Sequence, residues 1–176
     1  TLFRSTLEGK LQAKALEVTL GRNRLDITNG TLDPLAAKRK ETPPTLALDS
    51  RELGGMYANR IRLIATEAGV GVNAGNLRSS SGDILLDAKG QLSVNKANSA
   101  RDIGMRAGAI TLAKGAKLEA QRDVTLVTPR LDNAGAITTQ RDMRVFANRV
   151  DNHGNTARLQ AGQDLWIQKN PKGDKS

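Results

Sequence analysis

Apolar and polar residues alternate in short runs that recur at a nearly constant interval. Ile84-Leu86-Ala88, Ile103-Met105-Ala107, Val124-Leu126, Met143-Val145-Ala147 and Leu165-Ile167 each keep a two-residue period, the pattern of a strand with one buried face. Each run follows an aspartate: Asp83, Asp102, Asp123, Asp142 and Asp164. Subtracting neighbouring positions gives intervals of 19, 21, 19 and 22 residues. A strand pattern inside a period near 20 predicts a solenoid rather than a closed domain around one cleft.

The units hold more than one strand. Leu92 and Val94, Ile110 and Leu112, Leu118, Leu131, Ile137, Val150 and Leu159 mark second and third short strands. Asn73-Ala74-Gly75, Asn133-Ala134-Gly135 and Asn152-His153-Gly154 are expected at sharp corners, where Asn and Gly tolerate left-handed backbone. Three strands per turn predict an all-β, triangular parallel β-helix. Ile84, Ile103, Val124, Met143 and Leu165 should form one inward ladder, and Leu86, Met105, Leu126, Val145 and Ile167 another. Trp166, between two inward positions, should face outward. Eight or nine turns would make a rod about 40 Å long at the spacing of strands in a sheet.

Nearer the start the pattern loosens. Leu16-Val18-Leu20 and Leu25-Ile27 alternate, which predicts two more turns within residues 1–30. Residues 31–50 hold Asp33-Pro34, Lys38-Arg39-Lys40 and Pro43-Pro44, and predict an extra-helical loop that returns at Thr45-Leu46-Ala47-Leu48. Ile61-Leu63-Ala65 resumes the strand beat, 23 residues before Ile84, and Val70 and Val72 open the next strand.

Composition supports a narrow aliphatic core. The 176 residues include two Phe, one Tyr and one Trp, too few for the usual aromatic centre of a globular enzyme. Cysteine is absent, which removes disulfides, thiolate nucleophiles and cysteine metal sites. No apolar run approaches the roughly 18 residues of a membrane span. The chain opens on Thr1 without a signal-peptide pattern and reads as a piece of a longer or processed protein. The net charge of +9 is uneven: residues 1–88 hold 12 basic and 10 acidic residues, residues 89–176 hold 15 and 8. Basic excess on a rod suits linear polyanions such as sulfated glycans, or serves only to keep the surface solvated.

Residues 53–72, L-G-G-M-Y-A-N-R-I-R-L-I-A-T-E-A-G-V-G-V, resemble the filamentous haemagglutinin family, the large exoproteins of bacterial two-partner secretion that include contact-dependent growth-inhibition effectors. The following N-A-G-N-L-R-S-S-S-G-D-I-L-L-D-A-K-G-Q-L is similar to the family's first haemagglutinin repeat. The resemblance covers about residues 45–168. It implies a right-handed parallel β-helix, and export through an outer-membrane transporter to the surface of a Gram-negative cell or beyond. It also implies work as an adhesin or as a stalk for a distal toxic domain, meeting a receptor or glycan on a host or neighbouring cell. On this reading residues 1–52 are the tail of a secretion-domain-like β-helix with its protruding loop, 53–168 are repeats, and 169–176 are a tail. The family's Asn-Pro-Asn-Leu type secretion motif is missing, so this stretch is not expected to engage the transporter unaided. The Val-Glu-Asn-Asn boundary of toxin domains is missing too, so no toxin is expected here.

Candidate chemistry is sparse. The aspartate column invites comparison with polysaccharide-cleaving β-helices, which need clustered carboxylates. Arg101, Arg122 and Arg141 immediately precede three of those aspartates, however, and point to repeat corners, where carboxylates accept backbone N–H bonds. His153 is the only histidine, and neither an Asp-x-Asp cluster nor a calcium-binding nonapeptide accompanies it, so no metal or cofactor is expected. Ser79-Ser80-Ser81-Gly82 lacks a nucleophile elbow. Arg106, Arg130, Arg144, Arg149 and Arg158 are the candidate surface for anionic glycans. Nucleic acid is not expected as a partner, because aromatic stacking platforms are missing. The leading expectation is a non-enzymatic shaft. A directly adhesive surface comes second and a β-helical polysaccharide enzyme third.

Overall fold

Alternation makes strands, and the fixed interval lets each strand lie over its equivalent one turn on. The computed structural model describes residues 5–26, 28–35, 45–50 and 55–169. In chain order the strands are β1 (Ser5–Leu7), β2 (Lys10–Leu20), β3 (Asn23–Leu25), β4 (Leu32–Pro34), β5 (Leu46–Ser50), β6 (Gly55–Ala65), β7 (Gly71–Ser79) and β8 (Ile84–Ser99). They continue as β9 (Ile103–Leu112), β10 (Lys117–Ala120), β11 (Val124–Asn133), β12 (Ala136–Thr139), β13 (Met143–Asn152), β14 (Arg158–Ala161) and β15 (Leu165–Gln168). Thirteen of them form one sheet whose pairings are all parallel.

The long strands bend around corners, so the registers resolve three faces. Face one stacks Leu16, Ile61, Ile84, Ile103, Val124, Met143 and Leu165. Face two stacks Leu48, Val72, Leu92, Ile110, Leu131 and Val150, with β1 above Leu48. Face three stacks Leu11, Met56, Leu77, Ala97, Leu118, Ile137 and Leu159. The fold is the expected three-strand-per-turn parallel β-solenoid.

The core is the space inside this triangle. Ile84, Leu86, Ile103, Met105, Val124, Leu126, Met143 and Val145 are fully buried. Each large aliphatic side chain so placed contributes about 1.5–3 kcal/mol relative to exposure. The two ladders end differently from expectation. Leu165 and Ile167 are 42% and 51% exposed, because β15 is the last described layer and no other described residue stacks beyond it.

The stack is also shorter than expected. Faces one and three each hold seven layers, hence six steps and a rise of about 29 Å rather than about 40 Å. The reason lies between β2 and β6. Leu16 pairs with Ile61 across 45 residues, against 19–23 for the later layers on the same face. Residues 1–30 therefore supply one layer instead of two, and the excursion begins at Gly21 instead of residue 31. Asn23–Leu25 pairs antiparallel with Leu32–Pro34 in a separate two-stranded sheet. Pro34 sits at the end of that sheet, where a missing donor costs little. The chain is back in the solenoid by Leu46, at the expected return over Thr45-Leu46-Ala47-Leu48. A detour of this length adds little closure cost, because that cost grows only logarithmically. Lys38-Arg39-Lys40, Pro43-Pro44, Ile27, Leu53, Gly54 and residues 170–176 lie outside the described residues.

The asparagine corners work differently from expectation. Among the described residues only glycines have positive φ, and of the three Asn-x-Gly glycines only Gly154 does. Asn73 lies within β7 and Asn133 ends β11. The buried Asn133 side chain accepts from the Gly135 amide at 3.1 Å and donates to Asn152 Oδ1 at 2.7 Å. It serves as a hydrogen-bonding plug. Gly135 is required by space: a Cβ there would lie 2.5 Å from the Ala116 carbonyl oxygen.

Candidate functional site

The aspartate column runs down the corner that leads into face one. Asp83 Oδ1 accepts the amide of Asp102 at 3.2 Å, Asp102 Oδ1 that of Asp123 at 3.1 Å, and Asp123 Oδ1 that of Asp142 at 3.2 Å. Asp142 Oδ1 accepts the amide of Asp164 at 3.4 Å. The backbone runs the opposite way: Ile84, Ile103, Val124 and Met143 donate to the carbonyls of Asp102, Asp123, Asp142 and Asp164 at 2.8–2.9 Å. Each aspartate is thus tied to the next turn's aspartate by its side chain, and the residue after it by a main-chain bond.

The arginines reach back one turn. Arg101 Nε lies 3.7 Å from Asp83, Arg122 Nε 3.5 Å from Asp102, and Arg141 Nε 3.8 Å from Asp123. Arg144 adds 2.9 Å to Asp142 and 3.9 Å to Asp123. Arg122 Nε is buried with this carboxylate as its nearby counter-charge and no hydrogen bond of proper geometry. These carboxylates are spent on amides and guanidiniums.

Inside the same corner is a column that the sequence reading missed. Ser79, Ser99, Ala120, Thr139 and Ala161 lie beneath the turn, and the Ser and Thr members are buried. Ser79 donates to the carbonyls of Asn59, at 2.8 Å, and Gly82, while Ser99 donates to the carbonyls of Gly82 and Asp102 at 3.0 Å. Thr139 donates to the Arg122 carbonyl. A small residue three positions before four of the five aspartates was the available signal, and Ser79-Ser80-Ser81-Gly82 hides it by adding one residue to its corner.

Replacing Asp123 separates these contributions. Asp123→Asn keeps an oxygen for the Asp142 amide and loses only long, partly exposed ion pairs at 3.8 and 3.9 Å, so its stability should fall by about 1 kcal/mol or less. Asp123→Ala also strands that amide and should cost about 1–2 kcal/mol more. Urea midpoints of the two variants measure the difference.

The five candidate arginines do not share a face. Arg106 and Arg144 are on face one, Arg130 and Arg149 on face two, and Arg158 on face three. Arg106 lies 3.9 Å from Asp87. Arg130 bridges Asp132 at 3.5 Å and Asp151 at 3.3 Å, and Arg149 holds Asp151 at 2.9 Å. Arg144 lies over the Trp166 ring, 4.9 Å from its centre, a cation–π contact one layer apart. Trp166 does point outward and packs on the preceding turn. His153 Nε2 lies 2.7 Å from Asp132 Oδ1. Among the described residues no three His, Asp or Glu side chains gather as a metal site, and no helix is long and apolar enough to cross a membrane.

The haemagglutinin repeat family matches residues 16–116 and 90–165. A tRNA nuclease CdiA of Yersinia mollaretii is 36% identical over 183 residues, a stretch covering 93% of this chain and 6% of that protein. A tRNA nuclease CdiA of Escherichia coli is 38% identical over 75% of the chain, and a 16S rRNA endonuclease CdiA of Enterobacter cloacae 41% over 66%. The matches span 4% and 3% of those two proteins, so the chain corresponds to a small part of each relative. No solved structure matches. The period, the stacked corners and the matched residues agree: this chain belongs to the haemagglutinin-repeat family.

Proposed function

We propose that this chain is a non-enzymatic shaft segment of a secreted, filamentous surface exoprotein, which carries a distal binding or toxic part toward a target cell. The observation that carries the reading is the corner column, where the carboxylates of Asp83, Asp102, Asp123 and Asp142 are each committed to the neighbouring turn. Such bonds lengthen a stack and leave no pair of acids free for chemistry. The repeat relatives are Gram-negative CdiA proteins, which supports export by a two-partner transporter to the cell surface or medium. The nuclease activities in their names belong to parts outside the short stretch matched here. Residues 1–52 are read as the end of the preceding secretion-domain-like helix, 53–168 as repeats and 169–176 as a tail. β2 pairs with β6 across that division, so the two parts stack as one solenoid.

Heparin chromatography tests the shaft against direct adhesion. A shaft whose arginines are matched by aspartates should pass through at about 0.15 M salt, where charges beyond about 8 Å are screened. Tight retention, lost on neutralising Arg106, Arg130, Arg144, Arg149 and Arg158, would make the surface itself the adhesin.

A further inference from the structure

Face one carries an outward pattern that the shaft role does not need. Its two outward columns, in layer order, are Glu17, Arg62, Leu85, Gly104, Thr125, Arg144 and Trp166, and Thr19, Ile64, Asp87, Arg106, Val127, Phe146 and Gln168. Leu85 is 46% exposed and its side chain leans over Gly104, where an added Cβ would lie 2.9 Å from Leu85 Cδ2. Arg62, Ile64, Leu85, Asp87, Gly104 and Arg106 line an open groove of about 600 Å³ there. The groove is mostly apolar, on a side of the sheet that water would cover.

We infer that this face pairs with the same face of a second copy, with the two rods antiparallel. A twofold axis between the sheets, along the strand direction, brings each column onto its own copy with the layers reversed. Placed midway between the Leu85 and Gly104 layers, it sets Leu85 opposite the partner copy's Gly104 layer and Ile64 against Val127. It also sets Asp87 against Arg106 and Glu17 against Arg144, each contact occurring twice. Shifting the axis onto the Leu85 layer opposes Asp87 to itself. Shifting it onto the Gly104 layer opposes Arg106 to itself. Moving it a full layer either way sets Asp87 against Ile64 or Phe146. Of these registers only the midway one sets Asp87 against Arg106 and Ile64 against Val127; it leaves Arg62 opposite Thr125 and Thr19 opposite Phe146.

The charges are free to re-pair. Asp87 and Arg106 are both more than half exposed and meet within the chain at only 3.9 Å. The corner aspartates stay with Arg101, Arg122 and Arg141. The overlapping footprint of six layers, about 24 Å of stack by about 17 Å of strand, is roughly 400 Å² per copy. That is below the roughly 800 Å² of a standard interface, so the pairing is weak and reversible. It does not depend on the shaft proposal.

Sedimentation velocity over a concentration series tests it, with circular dichroism to confirm that each variant keeps its sheet. The chain should show a reversible monomer–dimer equilibrium. Asp87→Arg and Arg106→Asp should each weaken it at least tenfold, by opposing like charges. An equimolar mixture of the two variants should recover dimer. The arginine introduced at position 87 of one copy then meets the aspartate introduced at position 106 of the other, and the unaltered Arg106 and Asp87 still meet. Leu85→Arg should weaken dimerisation with no such rescue. Unchanged association in both single variants, as end-to-end joining through β15 would give, overturns the proposal. So does a mixture that associates no better than its components, or a parent chain that stays monomeric throughout.

Discussion

Leu126→Asp is expected to break the solenoid near its middle. Leu126 is fully buried and stacked between Met105 and Val145. Truncating such a leucine to alanine costs about 2–5 kcal/mol through lost transfer energy and the cavity left behind. A carboxylate adds the penalty of an unpaired buried charge, several kcal/mol more. The whole stability of a domain is about 5–15 kcal/mol, so the variant should lose its cooperative transition. In a repeat stack each layer depends on its two neighbours, so the damage should be centred on this turn. Limited proteolysis should cut near residues 120–130 in the variant and not in the parent, and a urea midpoint within about 1 kcal/mol of the parent's would contradict the inward ladder.

Gly90→Val is the second large effect, and its cause is steric. A Cβ at Gly90 would lie 2.1 Å from the Val70 carbonyl oxygen and 2.6 Å from its carbonyl carbon, both backbone atoms of the previous turn. No rotamer relieves a clash at Cβ. The layers must separate locally, which breaks register between β7 and β8 close to Val72 and Leu92. Overpacking usually costs 1–3 kcal/mol, and a backbone clash belongs at or above the top of that range, about 3 kcal/mol. Gly9→Ala is the control: nothing lies within 4 Å of its added Cβ, and its midpoint should not move. Equal destabilisation by the two substitutions would contradict the stated spacing of the turns.

The difference between these glycines was invisible in the sequence. Both look like turn residues, and only stacking shows that Gly90 lies beneath a carbonyl of the turn before it. The strand beat, by contrast, was readable from Ile84 onward, because an inward residue in a stack meets its own equivalent and the sequence repeats what the packing repeats. That logic fails at the ends of the stack. Leu165 and Ile167 take their expected places in the two ladders, but no described layer covers them, so pattern alone does not reveal their exposure. It fails again at Leu25, where two alternating residues suit a hairpin as well as a solenoid strand, and the partner, Leu32–Pro34, decides.

The corner was half legible. Asp and the adjoining Arg could be read as a structural pair, but the sequence order suggests neighbours in one turn. The structure pairs Arg101 with Asp83 and Arg122 with Asp102, one turn back, because an arginine beside its own aspartate points along the stack axis. The arginines of the second half were legible as charge but not as position. Three faces divide them, and aspartates in register, Asp132 and Asp151 above all, lie beside two of them.

In the solenoid, residues far apart in sequence rise along one axis by a fixed step. The chain has no cysteine, so introduced pairs can be spin-labelled without background. Arg62, Thr125, Arg144 and Trp166 occupy one outward column of face one, at layers two, five, six and seven. Pulsed electron paramagnetic resonance on pairs from Arg62 to Thr125, Arg144 and Trp166 should give distances of about 14, 19 and 24 Å, each with a narrow distribution. Distances that do not grow by one strand spacing per layer, or distributions too broad to resolve the three, would contradict the solenoid and the shaft built on it.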